Sequence, residues 1–135
     1  MRSTHEVRSY LRRRGVPPAL TARLIAECQA RGVLDDRLSA ALWAEAWSRR
    51  GFAWAAIRVK LNARGFDERT IQTIGKTMAR ASQEEARARL VVQRVRGRPG
   101  PHTRVRLARQ LSARGFDSDV IEQLLGDPLT FPLSD

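Results

Sequence analysis

The segments LNARGF at 61–66 and LSARGF at 111–116 lie fifty residues apart in a chain of 135 residues. A third copy of the motif, RGV at 14–16, lies fifty residues before the first. Apolar residues recur at fixed distances from the glycine of each copy: four before at Leu11, Leu61 and Leu111, eight before at Val7, Ile57 and Leu107, and nine after at Leu24, Ile74 and Leu124. This self-similarity predicts an array of similar structural units.

The glycine of each copy is predicted to lie just past the end of a helix. A glycine there adopts the left-handed conformation at little cost. The apolar residue after it then packs on the residue five positions upstream. The pairs are Val16 with Leu11, Val33 with Cys28, Phe52 with Trp47, Phe66 with Leu61, and Phe116 with Leu111. We therefore predict helix-terminating glycines at Gly15, Gly32, Gly51, Gly65 and Gly115, whereas Gly97 departs from the pattern because Arg98 follows it.

Capping residues also predict where the helices begin. The segments at 3–6 and 82–85 fit the capping box, and Asp67, Asp117 and one of Asp35 or Asp36 stand where an N-cap is needed. Pro17 and Pro18 suit a first helical turn. Eight short helices follow, at about 4–14, 17–31, 36–50, 53–64, 67–79, 83–96, 103–114 and 118–125. No stretch alternates with period two, so we expect no sheet.

Such short helices, each with one apolar stripe, are stable only when they pack on neighbours. We predict an all-α fold of tandem three-helix repeats in an elongated, curved array. The first repeat is 1–34 and lacks its leading helix, the second is 35–81, and the third is 82–126. We expect the tail at 127–135 to fray because of its prolines, with docking of Leu129, Phe131 and Leu133 on the last repeat as the alternative.

The charge balance points to a polyanionic partner. Lys and Arg total 25 against 14 Asp and Glu, which gives a net charge of +11. Nucleic acid is the first candidate for such a partner; the alternative is that the arginines only solvate helix faces. A single cysteine indicates a reducing compartment. No apolar run approaches the roughly 20 residues of a membrane helix, and no secretion signal precedes the first helix. We therefore expect a cytoplasmic protein.

The sequence gives little support to catalysis. His5 and His102 are the only histidines, and neither has a Cys, Asp or Glu at metal-ligand spacing. No glycine-rich loop follows a strand, and the pair Asp35-Asp36 is better explained as a helix cap than as a metal site. We predict no catalytic, cofactor-binding or metal-binding residues, and a protein that is not an enzyme.

Basic residues are the best candidates for a binding site. Cations at helix C-termini are stabilised by the helix dipole, which accounts for Arg14, Arg50, Arg64 and Arg114. It does not account for arginines at a helix start or in a loop, such as Arg104, Arg106 and Arg98. We predict that the residues that contact the partner are Arg94, Arg96, Arg98, Arg104, Arg106 and Arg109, together with Arg58, Lys60, Arg12 and Arg13.

Three tryptophans leave two interpretations open. Trp43 and Trp47 lie four residues apart and share one helix face. They, with Trp54, either stack on nucleic-acid bases or form a core cluster with Phe52.

Several of these segments together resemble the RecX family. The resemblance rests on RGVLDDRL at 31–38, RGFAWAAI at 50–57, LNARGF at 61–66, LSARGF at 111–116, and Val120-Ile121, and it spans about 3–125. It implies three tandem three-helix repeats, although family members usually carry an earlier helix before the one at 4–14. It also implies a regulator that lodges in the RecA filament on single-stranded DNA, and restrains ATP hydrolysis, strand exchange and co-protease activity in DNA repair and the SOS response.

Two functional classes remain open at this point. The first is a filament regulator, expected to be a monomer, whose partners are RecA with its single-stranded DNA and, as a second candidate, naked DNA. The second is a free-standing DNA- or RNA-binding module such as a helix-turn-helix reader. No predicted helix concentrates the Asn, Gln, Arg and Ser of a base-reading helix, which favours the first class.

Overall fold

The computed structural model describes residues 1–126, and within them the chain forms eight α-helices and no strand. The helices are α1 Thr4–Arg13, α2 Pro18–Ala30, α3 Asp36–Arg49, α4 Trp54–Ala63, α5 Glu68–Met78, α6 Ala81–Arg96, α7 Arg104–Ala113 and α8 Ser118–Leu125. All eight predicted helices are confirmed, with each end within two residues of its predicted position. The predicted tail at 127–135 lies outside the described residues.

Helix C-termini end on glycines in the left-handed region. Gly15, Gly32, Gly51, Gly65 and Gly115 have φ between 73° and 94°. The residue after each glycine donates its backbone N–H to the carbonyl five positions upstream: Val16 to Leu11, Val33 to Cys28, Phe52 to Trp47, Phe66 to Leu61, and Phe116 to Leu111. These bonds satisfy carbonyls that a helix end otherwise leaves unpaired.

Helix N-termini use side-chain caps at five of the eight starts. Ser3 forms a complete capping box with Glu6. Asp35, Asp67 and Asp117 each accept a hydrogen bond from the backbone N–H three residues on, and Thr103 does the same for Arg106. Asp35 is thus the cap of α3, and Asp36 is left free for a contact with α1.

The second predicted capping box, at 82–85, is wrong. Helix α6 begins at Ala81, and its N-cap Arg80 makes no side-chain cap bond. Glu85, the acidic residue of that box, pairs with Arg89. Its neighbour Glu84 accepts the backbone N–H of Trp54 at 2.7 Å and a hydrogen bond from the guanidinium of the buried Arg87. The predicted box fails because α6 begins at Ala81, which places Ser82 inside the first turn rather than at the N-cap position.

The helices pack as one hairpin and two triplets. Helix α1 packs on α2, the three helices α3, α4 and α5 pack on one another, α6, α7 and α8 do the same, and α5 contacts α6. Each triplet has its own core: Ala40, Ala44, Trp47, Ile57, Leu61, Phe66 and Ile71 in the first, and Ala53, Ala88, Val91, Val92, Leu107, Leu111, Phe116, Ile121 and Leu125 in the second. These triplets are the three-helix repeats of the predicted fold.

Two equivalent junctions join the units. At the first junction, the Ser3 hydroxyl donates to the carbonyl of Arg64 at 2.6 Å, and the Thr4 N–H donates to Asp36 Oδ1 at 2.8 Å. At the second, the Ala53 N–H donates to the carbonyl of Arg114 at 3.0 Å, and the Trp54 N–H donates to Glu84. The N-terminus of one helix thus meets the C-terminus of the helix fifty residues later.

Candidate functional site

Four arginines converge at the second junction. Arg50 caps the C-terminus of α3, Arg94 lies in the last turn of α6, Arg98 follows that helix, and Arg114 caps the C-terminus of α7. A helix C-terminus carries partial negative charge, so three helix ends offset part of the mutual repulsion of these cations. We name Arg50, Arg94, Arg98 and Arg114 the junction cluster.

Arg114 is the centre of this cluster. Its side chain is half-buried, its Nη1 donates a hydrogen bond to the carbonyl of Arg50, and its guanidinium lies 5.0 Å from the centre of the Phe52 ring. Burial, and next the positive charges of Arg50, Arg94 and Arg98, lower the pKa of the Arg114 guanidinium. The group keeps its proton at neutral pH, so the cluster is a concentration of positive charge.

No carboxylate balances that charge within residues 1–126. The ion pairs there are Arg49–Glu45, Arg64–Glu6, Arg87–Glu84 and Arg89–Glu85, and none involves the junction cluster. The first junction is different, because Arg64 lies 3.5 Å from Glu6. The residue fifty positions after Glu6 is Ala56, and the second junction therefore lacks the acid that neutralises the first.

An aromatic ring and a lysine extend the junction cluster on one side. The half-buried Phe52 ring has Lys60 Nζ at 4.5 Å and Arg50 at 5.7 Å from its centre, in addition to Arg114. Cations at this range are attracted to the face of the ring. Phe52 therefore helps to hold three positive charges together at the edge of the junction.

The tryptophans act mainly in packing. Trp47 is buried, and Trp43 stacks on it with ring centres 5.2 Å apart. The guanidinium of Arg64 lies 3.6 Å from the centre of the Trp43 ring, and Trp43 Nε1 donates to the carbonyl of Met1 at 2.8 Å. Neighbours therefore occupy these rings, which supports the core interpretation over base stacking.

The sequence-predicted binding residues fall on several surfaces. Arg94 and Arg98 belong to the junction cluster, and Lys60 flanks it. Arg98 also lines a cavity of about 80 Å³ with Arg106 and His102. Arg109 lines an apolar groove on α7 and α8. Arg58 and Arg96 are exposed and lie outside the junction cluster and these grooves. Arg104 is half-buried.

The two remaining predicted residues lie near the N-terminus. Arg12 lines a groove between α1 and α2. Arg13 lines a second groove, of about 520 Å³, with Arg2, Trp43 and Arg64. The predicted residues are thus divided between several surfaces, and two of them, Arg94 and Arg98, belong to the junction cluster.

Sequence reasoning missed the central members of that group. Arg50 and Arg114 precede glycines and were explained by the helix dipole, which is a sufficient local reason for their presence. The available signal was the fifty-residue spacing itself. Arg64 and Arg114 are equivalent, yet Glu6 has no acidic equivalent at Ala56, and this difference predicts an unpaired arginine.

The described part of the chain holds neither a cluster of potential metal ligands nor a helix that could span a membrane. Residues 1–126 contain no group of three or more His, Cys, Asp or Glu side chains that could hold a metal ion. In the same residues, no helix has the length and apolar character needed to cross a membrane.

Similarity to known proteins identifies the family. The chain is 31% identical over 137 aligned residues to the regulatory protein RecX of Thermobifida fusca, which covers 95% of this chain and 71% of that protein. The chain belongs to the RecX family. The regulatory protein RecX of Halalkalibacterium halodurans is 30% identical over 135 residues, and this chain spans 49% of its length. No protein-family model matches the sequence.

Solved RecX structures share the fold. The crystal structure of RecX from Lactobacillus salivarius aligns with a TM-score of 0.72 over 93% of this chain and 84% of that one, at 15% identity. A second crystal structure of a regulatory protein RecX aligns with a TM-score of 0.71 over 94% of this chain and 64% of that one, at 19% identity. The all-helical RecX architecture is therefore retained at low sequence identity.

Proposed function

We propose that this chain is a non-catalytic regulator that binds the RecA filament on single-stranded DNA and restrains RecA activity in DNA repair and the SOS response. Membership of the RecX family and the net charge of +11 support this proposal. The observation that carries it is the junction cluster, in which four arginines have no carboxylate partner within residues 1–126.

The chemistry of the junction cluster suits the phosphodiester backbone of the bound DNA strand. A guanidinium presents a planar set of donors that matches phosphate oxygens in pairs. Burial and then repulsion from the other three arginines lower the pKa of Arg114, and binding of an anion would relieve that repulsion. The four cations come from the ends of three different helices rather than from one helix face, which is unlike the recognition helix of a helix-turn-helix reader.

A RecA assay tests this proposal. The measured quantity is single-stranded-DNA-dependent ATP hydrolysis by a matching RecA, at two salt concentrations and with added excess single-stranded DNA. We expect substoichiometric inhibition that survives the excess DNA, because the target is the filament. Inhibition that disappears with excess DNA would instead assign the chain to general nucleic-acid binding, and no inhibition at all would contradict the proposal.

Matched charge variants locate the surface. Arg94→Glu with Arg98→Glu removes two exposed members of the junction cluster, whereas Arg23→Glu with Arg31→Glu makes the same charge change within α2 and at its C-cap. We expect the first pair to weaken filament binding by about tenfold or more, and the second by much less. The salt dependence of binding should also fall, since each lost phosphate contact lowers the slope of log affinity against log salt by about 0.7. If both pairs weaken filament binding equally, the junction cluster is not the binding site.

A further inference from the structure

The two junctions share an arrangement of helix ends but not an ion pair. Ser3 and Ala53 occupy equivalent positions, and each donates a hydrogen bond to the carbonyl of the arginine that caps the opposing helix, Arg64 at the first junction and Arg114 at the second. At the first junction, Glu6 accepts the backbone N–H of Ser3 at 3.1 Å and lies 3.5 Å from Arg64. Within residues 1–126, no acidic side chain pairs with Arg114 in the same way.

Ala56 holds the position at the second junction that Glu6 holds at the first. The two residues lie fifty positions apart, each is the third residue of its helix, and both are half-buried. A Cβ built on Gly115 would lie 2.9 Å from the Ala56 Cβ. A side chain longer than alanine at position 56 therefore begins beside the residue that follows Arg114, within reach of its guanidinium.

The charge around Arg114 calls for more than one carboxylate. The other three members of the junction cluster repel its guanidinium. Lys60 lies 4.5 Å from the centre of the Phe52 ring, which Arg114 approaches to 5.0 Å. A phosphate chain carries several negative charges, and guanidinium groups bind its oxygens in pairs. Such a ligand matches several converging cations better than a single carboxylate does.

We propose that position 56 decides whether a junction binds phosphate, and that the phosphate bound at the second junction takes the place beside Arg114 that the Glu6 carboxylate takes beside Arg64. The first junction is then a self-neutralised form of the same site. This proposal rests on the proposed function for the source of the phosphate, which is the DNA strand. A free polyphosphate offers the same chemistry, and the experiments distinguish the two sources.

Glu6 acts in this scheme as a competitor that the chain itself supplies. The groove of about 520 Å³ at the first junction is lined by Arg2 and Arg13 in addition to Glu6 and Arg64. The cations of a second phosphate site are therefore already in place around the Glu6 carboxylate. Removal of the charge of Glu6 should make them available to an external anion.

A change of charge at Ala56 tests the proposal. Ala56→Glu and Ala56→Gln add side chains of nearly the same size, and only the first adds a carboxylate beside Arg114. Ala26→Glu makes the same change of net charge at an exposed position of α2. The probe is inorganic triphosphate, and its binding to the full chain is measured by isothermal titration calorimetry.

We expect Ala56→Glu to weaken triphosphate binding by about tenfold or more, and the two control variants to weaken it by less than about threefold. An equal loss in Ala56→Gln would mean that side-chain size disturbs the junction, and an equal loss in Ala26→Glu would mean that net charge alone governs binding. Either result would overturn the proposal, as would unchanged binding by Ala56→Glu.

The reciprocal variant does not depend on packing at Ala56. Glu6→Gln keeps an oxygen that accepts the Ser3 N–H but removes the charge beside Arg64. We expect this variant to bind a second triphosphate per chain, and circular dichroism checks that every variant keeps the helical content of the parent. If Ala56→Glu fails to fold, this measurement decides, and an unchanged stoichiometry would overturn the proposal.

A second titration identifies the source of the phosphate. Single-stranded oligothymidylate replaces triphosphate, and we again expect Ala56→Glu to lose about tenfold in affinity relative to Ala56→Gln. A loss for triphosphate but not for oligothymidylate would support the site and assign it to a free polyphosphate instead of DNA. Neither titration contains RecA, so this proposal and the proposed regulation of RecA can fail separately.

Discussion

The backbone N–H of Ala53 donates a 3.0 Å hydrogen bond to the carbonyl oxygen of Arg114, the C-cap residue of helix α7 in the next repeat. Fifty residues earlier, the Ser3 hydroxyl makes the corresponding bond to Arg64. A helix C-terminus leaves carbonyls without partners inside the helix. Each unit therefore satisfies such a group of the following unit, and the sequence repeat is also a repeat of tertiary contacts.

Gly115 should tolerate alanine much less well than Gly15. Both have positive φ, so alanine adds strain of about 1 kcal/mol at either position. A Cβ at Gly115 would also lie 2.9 Å from the Ala56 Cβ and 3.2 Å from its backbone nitrogen, whereas nothing lies within 4 Å at Gly15. We expect Gly115→Ala to lower the free energy of unfolding by about 2–4 kcal/mol in urea denaturation. Equal costs at the two glycines would contradict the close packing of the second junction.

Glu84 should be a major determinant of stability. Its carboxylate accepts the Trp54 N–H and pairs with Arg87, which is 5% exposed and whose Nε has no hydrogen-bond partner among residues 1–126. Glu84→Ala leaves a buried guanidinium without its counter-charge, which should cost about 3 kcal/mol.

Two controls accompany that measurement by chemical denaturation. Glu85→Ala removes an exposed pair with Arg89 and should cost less than about 0.5 kcal/mol. Adding Arg87→Met to Glu84→Ala should recover part of the loss, because the buried charge is then gone. If the double variant loses as much unfolding free energy as the two single variants lose together, Glu84 and Arg87 are not coupled.

Gly75→Ala should destabilise the protein although it lies within helix α5. Helix propensity alone predicts a gain of about 0.8–1 kcal/mol from this change. A Cβ at Gly75 would however lie 2.6 Å from Cζ2 and 3.1 Å from Cε2 of Trp54. We expect a net loss of about 1 kcal/mol in thermal denaturation, since overpacking costs more than propensity gains. In a Trp54→Leu background the same change should become stabilising; a gain in the parent chain would show that Trp54 can move aside.

Asp67 should give a small, pH-dependent contribution to stability. The hydrogen bond from the Thr70 backbone N–H, made at 2.8 Å to the carboxylate that caps α5, lowers the pKa of Asp67. A carboxyl whose pKa is lower in the folded state than in the unfolded state stabilises the fold at a pH above its unfolded-state pKa. That stabilisation is lost as the pH falls through its folded-state pKa. Asparagine keeps the cap without the charge.

The measurement for Asp67 is the stability difference between the parent and Asp67→Asn as a function of pH. We expect the parent to be more stable at neutral pH by a few tenths of a kcal/mol, since the exposed carboxylate is screened by solvent. The difference should fade in the acid range, below the lowered pKa of Asp67. A difference that is independent of pH would mean that the charge makes no contribution.

The sequence was a good guide wherever the cause of a structure is local. A helix end at Gly65 follows from the steric freedom of one residue and from an apolar pair five positions apart. The cap at Asp67 likewise needs only its own side chain and the next three residues. Ser82 shows the limit of this reasoning, because the helix starts at Ala81 and Glu85, the acidic residue of the predicted capping box, pairs with Arg89.

The candidate site was harder to predict because its charges come from separate helix ends. Arg94 and Arg98 could be selected from the sequence as cations beyond what a helix terminus needs. Arg50 and Arg114 could not, since each already had a sufficient local explanation. Only packing brings them close enough for the other cluster members to lower the pKa of Arg114.

By itself, the sequence determined the eight helices, their ends and the fifty-residue repeat, since propensity, capping and apolar spacing act over a few residues. The tertiary structure alone decided which helix ends meet and which arginines gather without a carboxylate partner within residues 1–126. These depend on contacts between residues 30 to 64 positions apart, which form only when the helices bury their apolar stripes against one another.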